Sequence, residues 1–127
     1  MKYSLDKQPK YTLIQLQNEK MDATLSPELK STFVTLNAEG AKNFVIDLSK
    51  VKYVDSSGLG ALLIANRLCM DAKGTMVLTG ITDHVMKLIK ISQLDKVLKI
   101  LPTNEEAIQF IHMNEVENDV AKDGGEG

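Results

Sequence analysis

Two hydroxyls stand beside a carboxylate in Asp55-Ser56-Ser57-Gly58-Leu59-Gly60. A serine in such a place can do one of three things. It can attack as a nucleophile when a base activates it, accept a phosphoryl group, or cap a helix with its oxygen. The flanking residues bear on the choice. Phe44-Val45-Ile46-Asp47-Leu48 reads as a short buried strand, with Val51 to Val54 leading out of it. Beyond the serines, Leu59, Leu62, Leu63, Asn66 and Met70 recur at helical spacing. The serines therefore fall where a strand gives way to a helix, and free backbone N–H groups there favour an added negative charge. This chemistry suits a phosphorylation switch.

Catalytic templates fail on spacing. A nucleophile elbow needs glycine two before and two after its serine. Ser56 has Val54 and Gly58, and Ser57 has Asp55 and Leu59. A dinucleotide fingerprint opening at Gly58 would want glycine or alanine where Leu63 stands, and no lysine-serine or lysine-threonine pair closes a phosphate loop. His84 and His112 are the only imidazoles and neither neighbours the serines, while a single cysteine gives little basis for zinc. We expect no catalytic residue, no metal and no cofactor.

The elements that must hold the serines can be read outward from them. Tyr3 to Asp6 and Tyr11 to Gln17 form an opening hairpin. Ser26-Pro27-Glu28 starts a helix, with Ser26 as cap and Pro27 at the first position; Leu29, Phe33 and Leu36 are its buried stripe and Gly40 its end. The helix after the serines closes at Gly74, taken as a left-handed cap. Thr75 to Thr79 is a core strand, and Thr82 or Asp83 caps a short helix carrying Val85, Met86, Leu88 and Ile89. Val97 to Leu101 is a further strand. Thr103 and Glu106 form a capping box opening a last helix, whose apolar face is Ala107, Ile108, Phe110 and Ile111. Strands alternating with helices after residue 26 give an α/β domain, and the early hairpin makes its sheet mixed. Residues 1–116 form one domain. The acidic, glycine-rich stretch 117–127 reads as a disordered tail.

Bulk properties narrow the partners. The 127 residues carry 15 basic and 17 acidic side chains, a net charge of −2 with no basic face for nucleic acid. No apolar run approaches the roughly 20 residues that span a bilayer, so direct membrane insertion is not expected. No apolar signal region opens the chain, and one cysteine fits a reducing compartment, so the expected location is the cytoplasm.

The run Asp47-Leu48-Ser49-Lys50-Val51-Lys52-Tyr53-Val54-Asp55-Ser56-Ser57-Gly58-Leu59-Gly60 resembles the signature of the STAS domain in its bacterial anti-sigma factor antagonist form. The resemblance covers most of residues 3–115. It implies a small mixed β-sheet with helices packed mainly on one side, and a serine opening the second helix. It also implies that Ser56 is phosphorylated by a partner that is both kinase and anti-sigma factor and that brings the ATP site, leaving a place for a phosphatase. Asp55 and Ser57 flank the acceptor. A functional aspartate in a Gly-x-Leu-Asp stretch matches Asp22, within Glu19-Lys20-Met21-Asp22, although the glycine and leucine do not match.

The partner-binding surface expected around the acceptor is Asp22, Asp55, Ser57 and Gly58, to which a helix apolar nearly all round adds Leu59 and Leu62 as an apolar part. Each has a plainer role beside this one. Ser56 and Ser57 can cap the helix, which would make Ser56→Ala cost about 0.5–2 kcal/mol. Gly58 and Gly60 can permit close packing, Asp22 can set a turn, and Asp47 can simply end its strand. Leu59, Leu62 and Ile64 can be core, although a helix apolar nearly all round needs cover on more than one side. Cys69, Met76, Met86 and Met113 are expected to fill the core. The main rival is a STAS subunit that regulates a membrane transporter such as a lipid-transport ATPase; a small nucleotide-hydrolysing protein is the other.

Overall fold

The computed structural model describes the backbone of residues 2–126 and the side chains of residues 2–116. Its main sheet is built from β1 (Tyr3–Lys7), β2 (Thr12–Leu16), β4 (Phe44–Asp47), β6 (Met76–Thr79) and β7 (Lys99–Leu101), in the order β1-β2-β4-β6-β7. The β1/β2 hairpin is antiparallel and every other neighbour pair is parallel. The mixed sheet is therefore as expected. A second, two-stranded parallel sheet joins β3 (Lys20–Met21) to β5 (Tyr53–Val54).

Side-chain alternation sorts the central strands onto two faces. Ile14, Leu16, Phe44, Ile46, Met76 and Leu78 meet Leu29 and Phe33 of α1 (Ser26–Ala38), Ala61, Leu62, Ala65 and Cys69 of α2 (Ser56–Asp71), and Val85 and Ile89 of α3 (Asp83–Ile91). This is the larger core, with Phe33 and Phe44 stacked at 5.7 Å. Val45 and Val77 point the other way, onto Ala107 and Ile111 of α4 (Asn104–Glu126). Three helices lie on one face and one on the other, so helices sit mainly on one side. Both faces of the central strands are covered, as their near-continuous apolar sequence requires.

Several helix ends differ from expectation. Leu25, not Ser26, is the N-cap of α1 and makes no side-chain cap. The turn already begins upstream, because the Leu25 and Ser26 N–H groups both donate to the Asp22 carbonyl, and the Ser26 hydroxyl returns to that same oxygen at 2.9 Å. Lys73, with φ of 62°, takes the left-handed position after α2. Gly74 is needed for a different reason: a Cβ there would lie 1.9 Å from the Lys42 carbonyl oxygen. Thr82 is the N-cap position of α3, but its hydroxyl bonds the Val51 carbonyl instead. Thr103 does cap, accepting from the Glu106 N–H at 3.2 Å. Met76 is buried, whereas Met113 is 64% exposed and fills no core. The side chains from residue 117 onward, where a disordered tail was expected, lie outside the described residues.

Candidate functional site

The junction between β5 and α2 is held by Asp55. Its backbone is extended, with φ of −107° and ψ of −175°, and its carboxylate accepts the Gly58 N–H at 3.0 Å. Asp55 is thus the N-cap, and Ser56 and Ser57 are the first two residues of the helix. The plainer role open to Ser56 and Ser57, capping α2, therefore falls to Asp55 instead. Three adjacent residues could each have capped, and tertiary contacts chose between them. The β3/β5 pairing sets Met21 beside Val54, the Asp55 N–H donates to the Met21 carbonyl, and the second Asp55 oxygen accepts the Ala23 N–H at 3.3 Å.

Gly58 completes this lock. A Cβ on it would fall 2.2 Å from the Met21 carbonyl oxygen and 2.7 Å from a Val54 methyl. No side chain fits there, so the first turn of α2 lies directly against the β3 loop. Gly60, one half-turn on, faces open space.

Ser56 is exposed, and among the described residues its hydroxyl makes no hydrogen bond. Ser57 and Asp55 are half-buried. Asp22 lies between Met21 and Ala23, both bonded to Asp55, so the short β3/β5 sheet brings Asp22 and Ser56 to one corner of the molecule. Asp22 makes its own turn, accepting the Thr24 hydroxyl at 2.6 Å and the Thr24 N–H at 3.1 Å. The Thr24 hydroxyl is the main cause holding its carboxyl below the ordinary range. The corner therefore carries two carboxylates and a free hydroxyl.

The apolar residues assigned to a contact surface lie elsewhere. Leu62 is fully buried and Leu59 only 8% exposed, both in the larger core, because α2 turns that face onto α1 and the sheet. Gly58 is buried as well. These three shape the site from beneath. The exposed stripe of α2 that leads away from Ser56 runs instead through Ile64, Arg67 and Met70, beyond a half-buried Gly60.

A second polar cluster was not anticipated. Asp47, expected only to end its strand, is 7% exposed. It accepts from Asn104 Nδ2 at 2.9 Å, the Ser49 N–H at 2.9 Å and Gln15 Nε2 at 3.2 Å, and Asn104 also accepts the Thr79 hydroxyl. Burial alone would raise this carboxyl, but the donors from Asn104 and Ser49, with Gln15, outweigh it and hold the pKa low. The cluster ties the start of α4 to three strands. Cys69 is buried in the larger core, which pushes its thiol up to about 12 and leaves it inert.

Comparison with known proteins accords with this geometry. The sequence profile of the STAS domain matches residues 2–107, and the chain belongs to the STAS domain family. An anti-sigma-B factor antagonist of Listeria monocytogenes is 28% identical over 81 residues, 64% of this chain and 71% of that protein. The crystal structure of an anti-sigma factor antagonist from Mycobacterium paratuberculosis superposes with a TM-score of 0.77 at 20% identity, covering 87% of this chain and 93% of that one. The Bacillus cell fate determinant SpoIIAA in its phosphorylated form superposes at 0.67 with 20% identity, covering 87% and 99%.

Proposed function

We propose that this chain is an anti-sigma factor antagonist. Unmodified, it binds an anti-sigma factor that is also a serine kinase; phosphorylated on Ser56, it lets that partner go. The chain supplies the acceptor and the docking surface, and the kinase supplies the ATP site. The carrying observation is the Ser56 hydroxyl, exposed and, among the described residues, unbonded at the first position of α2 while Asp55 does the capping. A family relative described in a phosphorylated form lends further support.

Two electrostatic effects compete when phosphate arrives. Within the domain, an anion at a helix N-terminus is favourable by about 0.3–1 kcal/mol. At a docked interface, a roughly dianionic group beside Asp55 and Asp22 must lose water and meets like charge. An uncompensated buried charge can cost several kcal/mol, and each ~1.4 kcal/mol weakens binding tenfold. The fold survives and the complex does not. The partner contacts fall on Asp22, Ser56, Ser57 and the exposed part of Asp55, with Gly58, Leu59 and Leu62 acting from below.

The test is transfer of labelled phosphate from ATP by the cognate kinase. Wild type and Ser57→Ala should take up one phosphate, and Ser56→Ala none. Persistent labelling of Ser56→Ala would show that the acceptor lies elsewhere. Co-purification with a transporter ATPase in place of a kinase would support the rival role.

A further inference from the structure

The two edges of the main sheet are unlike. β7 has three residues, and Lys99 is drawn over the Phe110 ring at 4.6 Å. β1 has five, pairs with β2 in unbroken register, and contains neither proline nor bulge. All five are exposed, with Tyr3 at 38% and Leu5 at 36%. Proteins commonly blunt such an edge with proline, a bulge, a very short strand or charged side chains, lysine above all; of these β1 has only the charges of Asp6 and Lys7, and Lys7 is paired to Glu39 at 3.6 Å.

The register states which groups are free. The Gln17 N–H donates to the Lys2 carbonyl and the Gln8 N–H to the Tyr11 carbonyl. In an antiparallel pair these bonded positions alternate, so Lys2, Ser4, Asp6 and Gln8 turn their backbone groups toward β2. Tyr3, Leu5 and Lys7 turn theirs outward. A two-fold partner must therefore pair odd residues with odd ones. The arrangement with Tyr3 opposite Leu5 of the second copy does so, and its side chains are self-complementary. Tyr3 and Leu5 lie on the face of Leu16 and Ile14, so they form two symmetry-related apolar pairs on that face. On the opposite face Lys2 stands across from Asp6, again twice, and Ser4 meets Ser4. The Asp6 carboxylate accepts from Gln8 Nε2 at 2.7 Å through Oδ1, which leaves Oδ2 for the lysine.

We infer that β1 is a homodimerisation edge: two copies join antiparallel through β1 into one ten-stranded sheet, with Lys2 paired to Asp6 across the two-fold axis. No residue of β1 belongs to the Ser56 corner, so this association is separate from partner binding. The contact is small, so the dimer is weak and concentration-dependent.

Sedimentation velocity on the full chain, in a series up to about 1 mM, reads the association. Lys2→Asp places like charges opposite each other twice and should weaken the dimer about tenfold. Lys2→Asp with Asp6→Lys should restore it. Leu5→Pro removes an outward N–H while leaving the bonds of Ser4 and Asp6 to β2, as an edge position allows, and should yield monomer. Amide exchange at Tyr3, Leu5 and Lys7 should slow as concentration rises. A monomer throughout the series, or a dimer indifferent to all three variants, would overturn the inference; Ser56 labelling is read separately and does not bear on it.

Discussion

Asp47-Leu48-Ser49 and Asp55-Ser56 put an aspartate and a serine at the ends of β4 and β5, and the two pairs meet opposite fates. Asp47 is buried and spends its oxygens on the side chains of Gln15 and Asn104 and on the Ser49 N–H. Asp55 spends its oxygens on backbone N–H groups, of Gly58 and Ala23, and leaves the Ser56 hydroxyl unclaimed. Both serines reach solvent. Exposure alone does not tell the two serines apart; Ser56 stands at the first position of a helix, where an added anion is favoured, and Ser49 does not.

This contrast can be broken most severely at Gly58. In Gly58→Ala the new methyl meets backbone that cannot swing aside, and we expect a loss of about 1–3 kcal/mol or more. Gly60→Ala, in the same helix but facing open space, should instead gain up to ~1 kcal/mol from helix propensity. Chemical denaturation of both variants measures the difference.

Next comes Asp47→Asn, which sets an amide donor against those already bonded there and should cost about 1–3 kcal/mol. Its pH dependence sharpens the point. The carboxyls of Asp47 and Glu115 are held below their ordinary values of 3.8 and 4.5; for Glu115 the first cause is the Asn43 side chain. A carboxyl lowered in the folded state contributes fully above its unfolded pKa and loses that contribution as pH falls through the folded one. Wild type should therefore lose melting temperature steeply below about pH 4, and Asp47→Asn less steeply.

Smaller effects separate cap from acceptor. Asp55→Ala removes the α2 cap and should cost about 0.5–2 kcal/mol, whereas Ser56→Ala should stay within about 0.5 kcal/mol of wild type. Equal losses in the two variants would return the cap to the serine.

Much of this was legible in the residues. The apolar runs of β2, β4 and β6, the periodicity of α2 and the buried stripe of α1 each carry a strong local signal, and the STAS signature placed Ser56 at the opening of α2. What escaped was decided by contacts between distant segments. β3 and β5 have two residues each, too few for any period, yet their pairing moved the cap from Ser56 to Asp55. The Asp47 cluster joins residues 15, 47, 79 and 104, a distance no local reading spans. Leu59 and Leu62 were assigned to a surface because α2 is apolar on several sides, and α1 proved to be the missing cover.

The central claim is that phosphate on Ser56 breaks a complex without harming the fold. Calorimetric titration of the anti-sigma partner with unmodified and Ser56-phosphorylated protein, alongside their melting temperatures, tests it most directly. We predict affinity lower by at least about tenfold with the melting temperature equal or slightly raised. Undiminished affinity, or a loss that accompanies unfolding, would contradict it.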